Sequence, residues 1–193
     1  MTELVSAPSA HNRKTLIVIL AIFFSVMLVA GALRFSGWRP DGMKNRGELL
    51  QPYGDLRSYT PVLKDGSPYA WNAEPRLWRM VVLPENCEGA GQTRCAQLIQ
   101  NLDKVWRLLG KESERVHILW GGASIAQLQG LPEVREIVVD EKLRSGLAQW
   151  DVERTKGEPV WLIDPHGFVV LRYAPGFDPA DVRTDLARLL RVN

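Results

Sequence analysis

A short apolar segment, two cysteines and a helical pattern follow one another between residues 76 and 109. The apolar residues 77–83 are β-rich and end at Pro84, and the loop after them holds Cys87 and Cys95, the two cysteines of the chain. From Cys95 onward, apolar residues recur at helical spacing: Leu98, Ile99, Leu102, Val105, Trp106 and Leu109. This order predicts a strand and a helix joined by a cysteine-bearing loop, as in an α/β domain.

The two cysteines flank that loop. Because Cys95 stands three residues before Leu98, we expect its thiol on the buried face of the first helical turn, where the helix dipole favours a thiolate. Two cysteines at such a turn indicate a thioredoxin-type redox pair, although seven residues separate them here. Gly89 and Gly91 allow the loop to reverse. We therefore predict that the sulfurs lie within bonding reach and that Cys87 is the more exposed, first-attacking thiol.

A second feature is the N-terminal apolar stretch, residues 15–33, which carries 19 residues without a charge. About 20 apolar residues span a bilayer core, so we predict a transmembrane helix. A cleaved signal peptide would have a shorter apolar region, and the small-residue site Ala30-Gly31-Ala32 lies inside the run. The resulting division is a cytoplasmic tail (1–14), the membrane span, a linker (34–47) and a folded domain (48–193).

The charges around the span bear on its orientation. Basic residues lie on both sides of it: Arg13 and Lys14 before it, and Arg34, Arg39, Lys44 and Arg46 after it. By the positive-inside rule, the larger number of basic residues after the span would place the domain in the cytoplasm, but long domains can translocate despite such charges. A redox cysteine pair suits an oxidising compartment, so we predict a single-pass inner-membrane protein with a periplasmic domain. The net charge of +2, without a basic cluster, argues against nucleic acid as a partner.

The remaining chain completes an α/β pattern. An Asp65-Gly66 turn between residues 59–62 and 69–71 predicts a β-hairpin. Further segments are assigned to strands at 115–120, 158–163 and 168–173, to one or two short helices within 131–150, and to a final helix that begins at Asp178-Pro179. The predicted fold class is α/β, a thioredoxin-like fold with an added N-terminal β-hairpin, preceded by a single transmembrane helix.

Several local sequences resemble those of a known family. The segment 161–167, Trp-Leu-Ile-Asp-Pro-His-Gly, is similar to the "LIDPxG" hairpin of Sco-type copper chaperones. Residues 45–50 and 78–84 resemble small membrane-anchored proteins encoded in bacterial cytochrome c oxidase assembly clusters. The resemblance implies that the chain assists oxidase assembly by thiol–disulfide exchange or transient Cu(I) handling at Cys87 and Cys95, with respiratory oxidase subunits or their assembly factors as partners.

The sequence departs from the Sco pattern at the metal ligands. Sco proteins bind copper with two cysteines spaced by three residues and a histidine before the LIDPxG strand. Here the cysteine spacing is seven, and residues 151–158 contain no histidine. Cys87 and Cys95 together still form a soft two-thiolate site that suits Cu(I).

Two other functions stay open. The first is a non-catalytic docking module whose cysteines form a structural disulfide. The second, which we rank last, is a thiol peroxidase. The sequence therefore leaves open whether the chain is an enzyme, the candidate activity being that of a thiol–disulfide oxidoreductase.

Two histidines and one proline of the domain also bear on its function. His166 is predicted to be a solvated turn residue, and His117 a hydrogen-bonded core histidine. Pro159 opens the strand that faces the cysteine loop in thioredoxin folds, where a cis-proline is common, and the sequence leaves its isomer open.

Overall fold

The computed structural model describes residues 10–35, 44–151 and 157–192, which fall into two compact units divided after Lys44. The first unit contains helix α1 (Ala10–Phe35). Within it, Arg13–Phe35 is long and apolar enough, by length and composition, to cross a membrane. The predicted span 15–33 lies inside this helix, which makes α1 a possible transmembrane segment.

The second unit is an α/β domain. Its strands are β1 (Glu48–Asp55), β2 (Val62–Leu63), β3 (Trp78–Val82), β4 (Val116–Trp120), β5 (Val134–Val138), β6 (Val160–Ile163) and β7 (Phe168–Tyr173). Its helices are α2 (Gln92–Arg107), α3 (Glu141–Ala148) and α4 (Pro179–Val192). The strands form one sheet in the order β1-β7-β6-β3-β4-β5-β2, in which β3, β4 and β5 are parallel and the other pairs are antiparallel.

Both faces of this sheet are covered. Along β3 the side chains alternate: Met80 and Val82 pack on the side of α2 and α4, whereas Val81 packs on the side of α3. All five residues of β3 are buried, as expected for a strand with helices on both faces. The predicted strands at 115–120, 158–163 and 168–173 are confirmed, with small changes in their ends.

One strand was not predicted. One or two short helices were expected within residues 131–150, and α3 confirms one of them, but Val134–Val138 forms β5, which pairs in parallel with β4. The β-branched residues in this segment favour an extended backbone. The helical part is only α3, and Asp140 caps it by accepting a hydrogen bond from the Leu143 N–H at 2.8 Å.

The N-terminal hairpin is present but shorter than predicted. Gly66 has a φ of 86° in its turn, and the Leu63 N–H donates to the Ser67 carbonyl at 2.8 Å. Pairing then continues only as a single bridge from Val62 to Pro68. The second arm does not extend into a strand, and the Trp71 indole N–H donates to the carbonyls of Leu56 at 2.9 Å and Tyr59 at 2.6 Å. The hairpin joins the sheet at the β5 edge, opposite β1.

Candidate functional site

Cys87 and Cys95 form a disulfide with a Cα–Cα distance of 5.5 Å. β3 ends at Val82, and α2 begins at Gln92 after a 3-10 turn (Gly89–Gly91), so the bond closes the loop between a strand and a helix. The prediction that the two sulfurs lie within bonding reach is confirmed. Cys95 is the fourth residue of α2 and is buried, as its helical spacing predicted.

The loop reverses sharply to bring the two cysteines together. Asn86 and Gly89 have positive φ values of 55° and 52°. At Gly91 a Cβ atom would lie 1.6 Å from the Asn86 carbonyl oxygen, so only glycine fits this close approach. Glycine at positions 89 and 91 thus has the conformational role that the sequence indicated.

The expected difference in exposure between the cysteines is not found. Cys87 is 3% exposed and Cys95 is 1% exposed, so neither sulfur of the disulfide is open to solvent. Both belong to the apolar cluster between the sheet and helices α2 and α4, which also contains Val82 and Leu98. The expectation that Cys87 is the open thiol is therefore wrong for the oxidised protein, since its side chain points into the core while its loop is exposed.

Charged residues surround the outside of the loop. The Glu85 carboxylate accepts a hydrogen bond from Arg144 Nη1 of α3 at 3.0 Å, and the Glu85 N–H donates to Glu158 Oε1 at 3.0 Å. Arg94 Nη2 of α2 approaches the Glu85 carbonyl oxygen at 3.5 Å. Sequence analysis missed this group, because its members are far apart in the chain and no local pattern marks them.

A groove of about 550 Å³ lies beside the first turns of α2. Its walls come from α2, from the residues before β6 and from the loop before α4: Ala90, Thr93, Arg94, Gln97, Leu98, Asn101, Gly157, Glu158, Gly176 and Phe177. Leu98 and Phe177 give it an apolar part, and Arg94 and Glu158 give it one charge of each sign. The groove therefore adjoins the helix of Cys95 and the loop of Cys87.

The two histidines of the domain lie as expected. His166 is exposed in the turn between β6 and β7, where its main-chain N–H donates to Asp164 Oδ1 at 2.9 Å. His117 is partly buried, and its Nδ1 hydrogen-bonds to the Tyr69 hydroxyl at 2.9 Å. Burial, with Arg135 and Arg79 nearby, lowers the pKa of His117 to about 4.

Two further observations concern metal binding and Pro159. Within residues 10–35, 44–151 and 157–192, no group of three or more His, Cys, Asp or Glu side chains is placed to hold a metal ion. The cis peptide bonds in this part of the chain precede Pro52 and Pro75, so the bond before Pro159 is trans.

Comparisons with known proteins agree with this architecture. Residues 78–193 match a family model described as "Transmembrane-like, thioredoxin-like, C-terminal domain". A search of curated proteins gave no significant match. Among solved structures, copper-bound ScoI of Arabidopsis thaliana is 11% identical, covers 70% of this chain and 97% of its own, and superposes with a TM-score of 0.51.

Two other Sco structures are also similar. Copper-bound ScoI of Bradyrhizobium japonicum is 13% identical, covers 67% of this chain and 95% of its own, and has a TM-score of 0.47. BsSco, a member of the Sco family of cytochrome c oxidase assembly proteins, is 14% identical, covers 70% of this chain and 92% of its own, and also has a TM-score of 0.47. At such identities the likeness concerns the fold.

Proposed function

The chain belongs to the transmembrane-like, thioredoxin-like C-terminal domain family, and from this premise we propose that it is a membrane-anchored periplasmic factor for cytochrome c oxidase assembly. In this proposal Cys87 and Cys95 act by thiol–disulfide exchange or hold Cu(I) briefly as cargo. The assembly role rests on the sequence resemblance to oxidase-cluster proteins. The chemistry rests on one observation, the disulfide between a strand end and the first turn of α2.

The position of the disulfide suits exchange. When a disulfide is attacked, one sulfur forms the new bond and the other leaves as a thiolate. The leaving thiolate is stabilised at a helix N-terminus, which is where Cys95 lies. Attack on Cys87 with departure of Cys95 is therefore the favoured direction of the first step.

The groove beside α2 supports a protein client. Its apolar part at Leu98 and Phe177 can take an apolar side chain. The amides of Gln97 and Asn101 hydrogen-bond to each other at 3.1 Å, and Gln97 Oε1 and Asn101 Nδ2 are left to pair with a peptide backbone. A client segment lying there would be next to the cysteine loop. An anchor such as α1 would add to binding, because it confines the domain near membrane-embedded clients and raises their effective concentration.

Copper handling requires the reduced protein, because a disulfide offers no thiolate ligand. The thiols of Cys87 and Cys95 would then supply two soft donors for Cu(I). Since the described residues contain no three-ligand group, a further ligand would come from the client or from a small thiol. Such a site fits transfer of the metal better than its storage.

One observation favours the alternative function, a docking module with a structural disulfide. Both cysteine residues are buried, with 3% and 1% of their surface exposed, and a disulfide that never opens needs no access. In that case the fold and the groove carry the function, and the two cysteines only stabilise the loop.

Complementation separates these functions. In cells that lack this chain, we expect the wild-type gene to restore cytochrome c oxidase activity, and Cys87→Ser and Cys95→Ser to fail although they reach wild-type amounts in the membrane. Full activity with both serine variants would support the docking module.

Anaerobic titration of the reduced full-length chain with Cu(I), beside its measured reduction potential, then separates copper handling from exchange. One Cu(I) per chain that is lost in Cys87→Ser supports copper handling. No binding, together with reversible disulfide exchange, supports exchange alone.

A further inference from the structure

The loop that carries Cys87 is held at one residue, Glu85, by three separate parts of the domain. The Glu85 N–H donates to Glu158 Oε1 before β6 at 3.0 Å. Its carboxylate accepts from Arg144 Nη1 of α3 at 3.0 Å, and its carbonyl oxygen accepts from Arg94 Nη2 of α2 at 3.5 Å. Each polar group of this residue is therefore bound from a different direction, two positions before the cysteine.

The loop that this residue holds in place carries one half of a buried disulfide. Glu85, Asn86 and Glu88 are exposed, whereas Cys87 is 3% exposed and Cys95 is 1% exposed. An attacking thiolate must reach one of the two sulfurs directly. The loop must therefore move away before any exchange begins.

We propose that Glu85 is a positioning residue that keeps the Cys87 loop closed, and that releasing it opens the disulfide to attack. This inference rests on the proposed exchange function and adds its regulation. Arg94 and Glu158, which hold the main chain of Glu85, also line the groove beside α2. A client segment whose own charged groups pair with Arg94 or Glu158 withdraws them from Glu85, so docking in the groove opens the loop.

The exchange that follows is balanced in atoms and electrons. A thiolate of a client dithiol attacks Cys87 Sγ, a client–Cys87 disulfide forms, and the Cys87–Cys95 bond breaks with its electron pair on Cys95 Sγ. The second client thiolate then attacks the client sulfur of the mixed disulfide and displaces Cys87 Sγ. The client becomes a disulfide, and the two protein cysteines are reduced and take up protons from solvent.

The contacts of Glu85 are weak enough for the Cys87 loop to open under native conditions. The side chains of Arg144 and Glu85 are 40% and 45% exposed. Exposed ion pairs of this kind shift an opening equilibrium about two- to five-fold, and salt screens them. The loop can therefore open without unfolding of the domain.

The test measures how fast dithiothreitol reduces the disulfide of the full-length chain in detergent micelles. We expect Glu85→Ala and Arg144→Ala each to accelerate reduction about two- to five-fold, and the double variant to be no faster than the faster single one. Glu158→Ala should also be faster, whereas Glu158→Gln should stay near the wild-type rate, because the amide oxygen still accepts from the Glu85 N–H.

Arg57→Ala is the control, because it breaks another exposed ion pair, with Asp55 (2.7 Å), outside the cysteine loop. Its reduction rate should equal that of the wild type. Salt should accelerate reduction of the wild type but not of Glu85→Ala. Unchanged rates in both Glu85→Ala and Arg144→Ala, or an acceleration in Arg57→Ala as large as theirs, would overturn the proposal.

Urea unfolding of the same variants measures whether they lose stability in general. If the reduction rate rises only in proportion to the loss in free energy of unfolding, the proposal is also contradicted. The inference can be separated from the proposed function. If these rates behave as expected while Cys87→Ser still restores oxidase activity in cells, the loop is controlled by Glu85 but the exchange function is wrong.

Discussion

Arg79 Nη2 donates a 2.6 Å hydrogen bond to the main-chain carbonyl of Trp71, although Arg79 is completely buried. The same guanidinium donates to the carbonyls of Leu77 at 2.6 Å and Asp164 at 3.2 Å, and to the Tyr69 hydroxyl at 3.2 Å. A buried cation is stable only when it is fully hydrogen-bonded. Here carbonyl oxygens supply most of those bonds, which ties the segment before β3 to the sheet.

We predict that Arg79→Lys lowers the free energy of unfolding by about 2–3 kcal/mol, because an ammonium has fewer donors and leaves buried carbonyls unpaired. Urea unfolding followed by tryptophan fluorescence measures this. Arg57→Lys is the control, since the Arg57 side chain is exposed and its ion pair with Asp55 is solvated, and it should change stability by less than about 0.5 kcal/mol. Equal effects of the two substitutions would contradict this account of Arg79.

Asp185 fixes the beginning of the domain in a similar way. Its buried Oδ2 accepts from the N–H groups of Arg46 at 2.7 Å and Gly47 at 2.8 Å, and from the Tyr173 hydroxyl at 2.8 Å. Burial and this carboxylate raise the pKa of Tyr173 far above its ordinary value. We expect Asp185→Asn to cost about 1.5–3 kcal/mol and to speed proteolytic cleavage near Gly47, with Tyr173→Phe having a smaller effect. Unchanged cleavage in Asp185→Asn would contradict this role.

His117 should make the domain less stable in mild acid. Burial, together with Arg135 and Arg79, lowers its pKa from 6.5 to about 4. As the pH falls from 6.5 to 4, the unfolded chain takes up the proton first, so the free energy of unfolding decreases over this range. Urea unfolding across these pH values should therefore show a steeper loss for the wild type than for His117→Gln. Parallel curves would show that His117 does not contribute.

Local patterns in the sequence were sufficient for much of the fold. The βα unit around Cys87 and Cys95 was predictable, because a buried strand, a glycine-bearing loop and an amphipathic helix each leave their own periodicity. The final helix was predictable for the same reason, with Val182, Leu186 and Leu190 on its buried face. The pairing of the two cysteines followed from the short loop between them.

Other features could not be predicted, because they depend on contacts between distant residues. β5 was missed although its β-branched residues favour an extended backbone, because the segment is short and the hydrogen bonds from β4 that fix it are visible only in the folded sheet. The burial of Cys87 depends on how the loop packs against the core. The contacts of Glu85 with Arg144 and Glu158 join residues 59 and 73 positions apart, and no local motif marks such pairs.

The membrane topology is testable with a reporter. We predict that α1 is retained as a single span and that the domain lies in the periplasm, so alkaline phosphatase fused after Asn193 should be active. A fusion after Lys14, which lacks the apolar residues 15–33, should be inactive because nothing then exports the enzyme. Fluorescence of a cytoplasm-only reporter fused after Asn193 would place the domain in the cytoplasm, as the local positive charges indicate.

The disulfide itself should stabilise the domain. Cys87 and Cys95 are eight positions apart, and closing so short a loop contributes about 2–3 kcal/mol in the chain-entropy model. For a domain of roughly 150 residues this corresponds to about 5–10 °C in melting temperature. We therefore expect the oxidised full-length chain to melt higher than the reduced chain by this amount, in thermal scans in detergent followed by tryptophan fluorescence.

The double variant Cys87→Ser/Cys95→Ser is the control for this comparison, because its melting temperature should not respond to the reductant. Alkylation followed by mass spectrometry adds an independent measurement. Under oxidising conditions both cysteines should resist labelling, since they are bonded and buried, and after reduction and unfolding both should label fully. If the oxidised and reduced chains melt together, the disulfide adds nothing to stability, and a role in exchange or in Cu(I) handling would have to explain the cysteine pair.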